Sequence, residues 1–254
     1  MITTEGLRRR LTGLNLVLIV LGALIVGVEV VLFTTPGIAG FLNGGGSPQL
    51  SNFATPYNSV NYLILATLLT ASIGAGAIAG DVATRSIALY LSRPITTLDY
   101  LVGKGAAVGL VLVLFFLVPG VAACLFAYFV GNVSGGLALT AMGAFVLVGL
   151  VMVVLFTTLA LFLSSLTRRP IFAGAAIFGV LVSAEVLAAL VRSVTQSVQA
   201  LYVSPLEDLL AVAQSVFGVT PAIDPLGALG VVFGISAVTA LVTYLRVLEV
   251  EVVG

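Results

Sequence analysis

The sequence predicts an all-α integral membrane protein that forms a single transmembrane domain over residues 1–254. The first reason is composition: hydrophobic residues make up 60% of the chain and charged residues only 8%, and the mean hydropathy is +1.26. Soluble domains contain about 45–50% apolar and about 25% charged residues. The second and third reasons are a series of long apolar runs and an uneven distribution of Lys and Arg along the chain.

The apolar runs predict six transmembrane helices. A bilayer core about 30 Å thick requires about 20 helical residues at about 1.5 Å per residue. Pro119 predicts a kink in the third helix, because proline cannot donate a backbone hydrogen bond inside a helix. The predicted spans are Leu14–Thr34, Ser59–Gly80, Gly105–Val130, Ala138–Leu163, Ile171–Val191 and Leu226–Leu245.

The basic residues predict which side of the membrane each connection faces. Nine of the ten Lys and Arg residues fall on one side of the predicted spans, and only Arg192 falls on the other. Cytoplasmic loops retain an excess of basic residues. We therefore expect both termini and the connections at residues 81–104 and 164–170 to be cytoplasmic, in a protein of the plasma membrane.

Missing residue types exclude several kinds of chemistry. The chain has no His and one Cys, Cys124, so it cannot form a Ser-His dyad, a bis-His haem site, an iron–sulfur cluster or an intrachain disulfide. The segment around Gly103 and Lys104 lacks the upstream glycine and the following Ser or Thr of a phosphate-binding loop. A net charge of zero with scattered basic residues gives no reason to expect nucleic-acid binding. We expect a protein that is not an enzyme and binds neither a metal nor ATP itself.

The connection between the fifth and sixth spans predicts a short amphipathic helix on the extracellular side. In SPLEDLLAVAQSVFG, Ser204 suits the N-cap, Glu207 would complete a capping box, and Gly218 can end the helix in a left-handed conformation. The leucines share one face, which is expected to lie on the outer leaflet, so that Glu207 and Asp208 face water. Shielding of the bundle and gating both stay open as its role.

Residues 81–104, DVATRSIALYLSRPITTLDYLVGK, place five of the twenty charged residues between two apolar spans. Asp81 and Arg85 are four residues apart and can pair on a helix, so the second span is expected to run on past Asp81. Pro94 ends this piece. Thr96, with Asp99 three residues later, predicts a capping-box start for the helix that enters the third span. The connection is therefore predicted to be a helix, a bend and a helix in the cytosol.

The tip of this connection combines apolar and cationic side chains. Ile87, Tyr90 and Leu91 would form one apolar stripe, with Arg85 and Arg93 beside it. Such a surface suits a groove with acidic rims on another protein. The alternative is an ordinary solvated loop that follows the positive-inside distribution.

The order of residues in this connection resembles the signature of type-2 ABC exporter permeases. In that family an acidic residue and Gly-Thr-Leu precede LLLS-x-P-V-S and a closing LLGK, and here an acid is followed by TRSI, LYLSRPIT and DYLVGK. Arg85 replaces the glycine of the family. The six spans, the cytoplasmic ends and the helical outer segment are also similar to that family over nearly the whole chain. The matching positions are Asp81, Ser86, Ile87, Leu91, Ser92, Pro94, Gly103 and Lys104.

The resemblance implies a division of labour between this chain and its partners. A separate cytoplasmic ATPase subunit, which holds ATP and Mg, would dock on the bent connection and transmit nucleotide-driven motion to the spans. A second copy of the chain, or a related permease chain, would complete the pore in the lipid bilayer. A second cytoplasmic contact is expected at Arg168 and Arg169. The ATPase-coupling residues implied are Asp81, Arg85, Ile87, Tyr90, Leu91, Arg93 and Pro94.

Glu29 and Glu185 are the only acidic residues inside the predicted spans. A charge near the centre of a transmembrane helix costs about 2.5 to 3.5 kcal/mol. Each lies five or six residues from the outer end of its predicted helix, which is roughly 7 to 9 Å below the outer boundary at about 1.5 Å per residue. They either line the outer part of the pathway and bind a cation or polar substrate group, or each side chain snorkels outward or hydrogen-bonds a neighbouring Ser or Thr.

The favoured prediction is the permease subunit of an ABC exporter that works by alternating access. One alternative is an ion-gradient-coupled carrier in which Glu29 and Glu185 titrate. Another is a membrane subunit that anchors or assembles an enzyme complex without transporting anything. The sequence does not identify a substrate.

Overall fold

The computed structural model describes residues 13–35, 37–38, 47–84 and 96–252. Within these ranges the regular structure is helical, and six helices are long and apolar enough to cross a membrane. The helices are Gly13–Thr34, Leu50–Ala54 (3-10), Thr55–Asn58, Val60–Gly74, Ala79–Ala83, Thr97–Phe116, Val118–Phe129, Gly135–Ser165, Pro170–Thr195, Val198–Val203 (3-10), Pro205–Val216 and Pro225–Val252.

The six predicted spans are confirmed, with different bounds for some of them. We number the spans 1 to 6 in chain order. Span 3 begins eight residues before its predicted start because the Thr96 cap starts the helix at Thr97. Span 5 continues to Thr195 rather than ending at Val191. Glu185 therefore lies ten residues from the end of its helix, so the similar depth predicted for Glu29 and Glu185 does not hold when measured along the helices.

Spans 2 and 3 are each interrupted. The predicted kink at Pro119 is confirmed, because span 3 consists of Thr97–Phe116 and Val118–Phe129. Span 2 does run past Asp81, as predicted, but as a separate short helix, Ala79–Ala83, after a break that the sequence analysis did not anticipate. The buried Ser164 side chain of span 4 lies at this break.

Spans 2, 3 and 4 form the centre of the bundle. Of their most apolar stretches, 56%, 50% and 56% of the residues are buried, against 22%, 17% and 28% for spans 1, 5 and 6. The centre is rich in aromatic rings, and two glycines allow close packing there. A Cβ atom at Gly22 would lie 2.2 Å from the Phe115 ring, and one at Gly120 would lie 2.2 Å from the Phe145 ring.

The two ends of the bundle differ in charge. We call the end where span 2 stops and span 3 starts the Lys104 end. The other end carries the helix Pro205–Val216, which we call the connector helix. We call this end of the bundle the connector end. Among the described residues, Lys104, Arg168, Arg169 and Arg246 belong to the Lys104 end and Arg192 to the connector end.

The connector helix is packed into the bundle rather than laid on its surface. Its predicted apolar face is confirmed, since Leu209, Ala213 and Phe217 are buried. The Phe217 ring lies 5.7 Å from that of Tyr57, and Gln214 Nε2 donates a hydrogen bond of 2.9 Å to Asn58 Oδ1. These contacts join the connector helix to the described part of the connection that leads into span 2, which is one of the two other connections at this end.

Two predictions about the start of the connector helix are wrong. Asp208 does not face water: it is fully buried, because the helix is in contact with spans 4, 5 and 6 and not only with a leaflet. The capping box is not completed either, since the Ser204 N–H donates to the Leu201 carbonyl. The N-cap itself is confirmed, with Ser204 Oγ accepting the Glu207 N–H, and Gly218 adopts the predicted positive φ of 75°.

Candidate functional site

Asp81 is the centre of a charged contact at the Lys104 end. Its carboxylate lies 2.6 Å from Lys104 Nζ and accepts a hydrogen bond of 2.7 Å from the Tyr100 hydroxyl. Lys104 also lies 5.6 Å from the centre of the Tyr100 ring. We call these three residues the Asp81 contact. It joins the last turns of span 2 to the first turns of span 3.

The predicted docking surface falls mostly in residues 85–95, outside the described residues. The pairing of Asp81 with Arg85 therefore stays a prediction. The capping box at the start of span 3 is confirmed. The Asp99 N–H donates to Thr96 Oγ1 (3.2 Å), and the Thr96 N–H donates to Asp99 Oδ2 (3.1 Å). The other predicted coupling residues that lie outside the described residues are Ile87, Tyr90, Leu91, Arg93 and Pro94.

Arg168 and Arg169 are exposed in the short connection between spans 4 and 5. The Arg169 guanidinium lies 5.9 Å from the centre of the Phe172 ring. Both cations lie at the Lys104 end. The two cytoplasmic contacts predicted from the sequence therefore belong to the same end of the bundle.

Glu185 and Glu207 meet at the connector end. Ser204 Oγ donates a hydrogen bond of 2.5 Å to Glu185 Oε2, and the Glu207 side chain lies beside that of Glu185. Burial raises the pKa of Glu207, the Glu185 carboxylate raises it further, and the Arg192 guanidinium acts in the opposite direction. Glu207 can therefore hold a proton under conditions where an isolated carboxyl group would lose it.

A half-open cavity of about 340 Å³ lies beside this carboxyl pair. Both carboxyl groups and the Arg192 side chain line it, so charges of both signs face the same space. Within the described residues, no group of three His, Cys, Asp or Glu side chains is placed to hold a metal ion. The arrangement suits a polar or charged solute. The lining residues are Glu185, Ala189, Arg192, Ser193, Gln196, Leu201 and Glu207.

Asp208 lies next to this pair but points into the protein. It is fully buried, and neither carboxylate oxygen has a hydrogen-bond partner among the described residues. Burial, together with the neighbouring Glu207 charge, raises the pKa of Asp208 to about 7. The residue is thus close to half-protonated near neutral pH.

Glu29 lies in a different environment from Glu185. Its carboxyl group is half-buried beside the Ser59 side chain at the start of span 2, and its Oε2 has no hydrogen-bond partner among the described residues. Glu185 accepts a hydrogen bond from Ser204 and lies beside Glu207 instead. The serine hydrogen bond that the second sequence interpretation anticipated is thus present at Glu185, whereas at Glu29 a serine lies beside the carboxyl group.

Several residues at these two sites were not identified from the sequence. Tyr100 and Lys104 were placed on the helix entering span 3, but nothing in their spacing indicates that both reach Asp81. Glu207 was expected to face water, and Arg192 was noted only as a topology marker. The opposite charges of Asp81 and Lys104, at the two ends of one connection, could have predicted their contact from the sequence. No comparable signal predicts that the two acids Glu185 and Glu207 lie together.

Comparison with known protein families gives one match. A family model described as ABC-2 family transporter protein matches residues 4–247, which is nearly the whole chain. A comparison with curated proteins found no matching relative.

Proposed function

The chain belongs to the ABC-2 family of transporter proteins, and we propose that it is the membrane-spanning subunit of an ABC exporter, driven by a separate ATPase subunit and working by alternating access. The match over residues 4–247 is the observation that carries this proposal, and the six spans agree with it. The chain itself performs no hydrolysis in this scheme. ATP and Mg belong to the partner.

We place the ATPase at the Lys104 end. Thr84 and Thr96, which flank the predicted docking residues 85–95 in the sequence, lie at the end of the bundle that carries the Asp81 contact, and Arg168 and Arg169 add exposed positive charge at the same end. A partner surface with acidic rims would complement these cations. This end would be cytoplasmic, as would both termini, and the connector helix would be extracellular, in the plasma membrane.

The test of this arrangement is copurification from the native membrane. We expect an ATPase with a phosphate-binding loop to copurify with the tagged chain, and a double change of Arg85→Asp and Leu91→Asp to abolish that binding. Arg192→Gln, which alters a cation at the opposite end, should leave copurification intact. Equal recovery of the ATPase with both variants would refute docking at residues 85–95.

Orientation can be tested with a membrane-impermeant thiol reagent in a Cys124→Ser background. Val194, which is 82% exposed at the connector end, should react in intact cells once changed to cysteine. Arg168→Cys should react only after permeabilisation. The reverse pattern would place the docking surface outside the cell and contradict the proposal.

The substrate pathway is proposed to open at the cavity beside Glu185 and Glu207. The mixed charge of the cavity favours a polar or charged solute. This holds whether the cavity opens into a pore shared with a second copy or is a site within one chain. The same carboxyl pair favours one rival, an ion-gradient-coupled carrier. That rival predicts solute flux in vesicles that contain only this chain and no nucleotide, whereas the exporter predicts none.

A further inference from the structure

The break in span 2 lies in a stretch made of glycine and alanine except for Ile78. From residue 74 to residue 80 the sequence is Gly-Ala-Gly-Ala-Ile-Ala-Gly. Glycine inside a helix costs about 1 kcal/mol relative to alanine because it adds backbone freedom. A Cβ atom at Gly76 or Gly80 would meet nothing within 4 Å. The backbone at the break is therefore free of neighbouring side chains on these faces.

A single oxygen of span 4 holds this break together. Ser164 Oγ accepts hydrogen bonds from the N–H groups of Ile78 and Ala79, both 3.0 Å, and donates one of 3.2 Å to the Ala75 carbonyl. In a membrane, each backbone group left without a partner costs several kcal/mol. Ser164 is fully buried, so its hydroxyl takes the place that helix hydrogen bonds or water would otherwise fill.

The residues before the break are fixed. A Cβ atom at Gly74 would lie 2.6 Å from Ala160 of span 4 and 3.1 Å from Ile177 of span 5. Gly174 of span 5 approaches the Ala71 carbonyl and the Ala75 side chain equally closely, at 3.3 Å for an added Cβ. The main part of span 2 is thus wedged between two neighbouring spans up to residue 75.

The residues after the break contact spans 4 and 5 and are in addition joined to span 3 by charged and polar side chains. Asp81, in the helix Ala79–Ala83, is joined to Tyr100 and Lys104 of span 3 through the Asp81 contact. The same short helix and the start of span 3 are also the two ends of the segment 85–95. A force applied to that segment therefore acts on both of them together, and the nearest break that can absorb the motion is the one at Ser164.

We propose that Ser164 is the pivot of a lever in span 2: the helix Ala79–Ala83 turns about the Ser164 hydroxyl, together with the start of span 3, while Val60–Gly74 stays fixed. The proposal rests on the proposed function, because a docked ATPase supplies the force. Three hydrogen bonds of the break converge on one oxygen, in addition to the local bond from the Ala77 N–H to the Gly74 carbonyl, so the short helix can rotate about that oxygen while these backbone groups keep their partners. Ser164 is a positioning residue and touches no substrate.

The first test measures the hydrogen bonds between Ser164 and the break alone, by amide hydrogen exchange of the purified full chain in lipid nanodiscs. Ser164→Ala should speed exchange in the peptide covering residues 75–84 about tenfold or more, because two backbone donors lose their acceptor. Ser165→Ala is the matched control, since Ser165 Oγ bonds only within span 4, to the Phe162 carbonyl. Ser164→Thr, which keeps a hydroxyl, should restore slow exchange. Equal rates for Ser164→Ala and Ser165→Ala would overturn the pivot.

The second test measures the motion in the complex with its ATPase, using pairs of spin labels in a Cys124→Ser background. The pair Ala83→Cys and Leu98→Cys lies within the proposed moving unit, and its distance should not change with nucleotide. The pair Ala83→Cys and Leu166→Cys connects this unit to the end of span 4, and its distance should change by about 2 Å or more. All three labelled positions, Ala83, Leu98 and Leu166, are exposed.

The two proposals fail in different ways. An ATPase that binds and hydrolyses ATP while the Ala83–Leu166 distance stays constant would overturn the lever and leave the exporter standing. The absence of any bound ATPase would overturn the exporter and, with it, the source of force for the lever. A nucleotide-dependent change that is equal in wild type and Ser164→Ala would show that Ser164 is not the pivot.

Discussion

Asp81 and Asp208 are both aspartates in the first turn of a short helix, yet their surroundings are opposite. The Asp81 carboxylate meets an ammonium group and a tyrosine hydroxyl at 2.6 and 2.7 Å. Asp208 is fully buried beside Glu207, with no hydrogen-bond partner for either oxygen in the described part of the chain. An acid next to a helix N-terminus gains from the helix dipole in both cases. The difference therefore comes from the spans packed around each helix, which make Asp81 a structural contact and Asp208 an unfavourable charge.

The largest effect is expected from removing the cation at Asp81. Lys104→Met keeps the length of the side chain but leaves the carboxylate without its ion pair, and should lower the free energy of unfolding by about 2 to 3 kcal/mol. Unfolding can be followed in detergent with a thiol-reactive dye, because the chain's one cysteine, Cys124, is fully buried. Arg246→Met, at an exposed position of the same end, is the control and should change the stability by less than about 0.5 kcal/mol.

A change at Asp208 is expected to raise the free energy of unfolding instead of lowering it. Because its pKa is raised to about 7, the folded protein keeps a proton that the unfolded chain releases from about pH 4 upward, so stability falls as the pH rises from about 4 to 7. Asp208→Asn removes this loss and should stabilise the protein by about 1 to 2 kcal/mol at pH 8, and by less at pH 5. Thermal unfolding at the two pH values measures it.

The control for this prediction is Asp224→Asn, in the same connection. Asp224 is exposed and accepts the Gly227 N–H at 2.6 Å, a bond that asparagine can keep. No comparable stabilisation is expected. A gain of equal size at pH 5 and pH 8 for Asp208→Asn would show that titration is not the cause.

A smaller effect is expected from the hydroxyl of the Asp81 contact. Tyr100→Phe removes one hydrogen bond to a charged group and should cost about 1 to 2 kcal/mol. Tyr128→Phe, at an exposed ring, should cost less. If both variants lose the same stability, the Tyr100 hydroxyl contributes nothing specific to the junction of spans 2 and 3.

The smallest expected effect concerns the carboxyl pair at the cavity. Glu185→Gln removes a neighbouring negative charge and should lower the pKa of Glu207, whereas Arg192→Gln removes a positive charge and should raise it. The infrared band of protonated carboxyl groups, followed against pH, reports both shifts. Shifts in the same direction would contradict the geometry of the pair.

Local features were predicted well from the sequence because they depend on residues close together in the chain. The six spans follow from composition, the Thr96 cap from a spacing of three residues, the Pro119 kink from proline chemistry, and the left-handed Gly218 from its place after a helix. The cap, the kink and the left-handed glycine each depend on at most one turn of chain, and each span depends on one continuous apolar run. Six helices lie where the spans were predicted, with ends that differ by up to eight residues.

The contacts that were missed depend on packing between spans. Asp81 meets Lys104 across 23 residues, whereas the sequence offered the nearer Arg85 as a partner. Ser164 and Ser165 are neighbours in LFLSSLTRRP, and only the position of span 2 distinguishes the one that closes its break. Asp208 was placed in water because one apolar stripe was visible, but three spans surround the helix.

The hydrogen bond between Gln214 and Asn58, with the rings of Phe217 and Tyr57 beside it, joins two of the three connections at the connector end: the described part of the one before span 2 and the one between spans 5 and 6. These two connections are consequently held to each other by a polar and an aromatic contact. Immobilising either connection would thereby restrain the other.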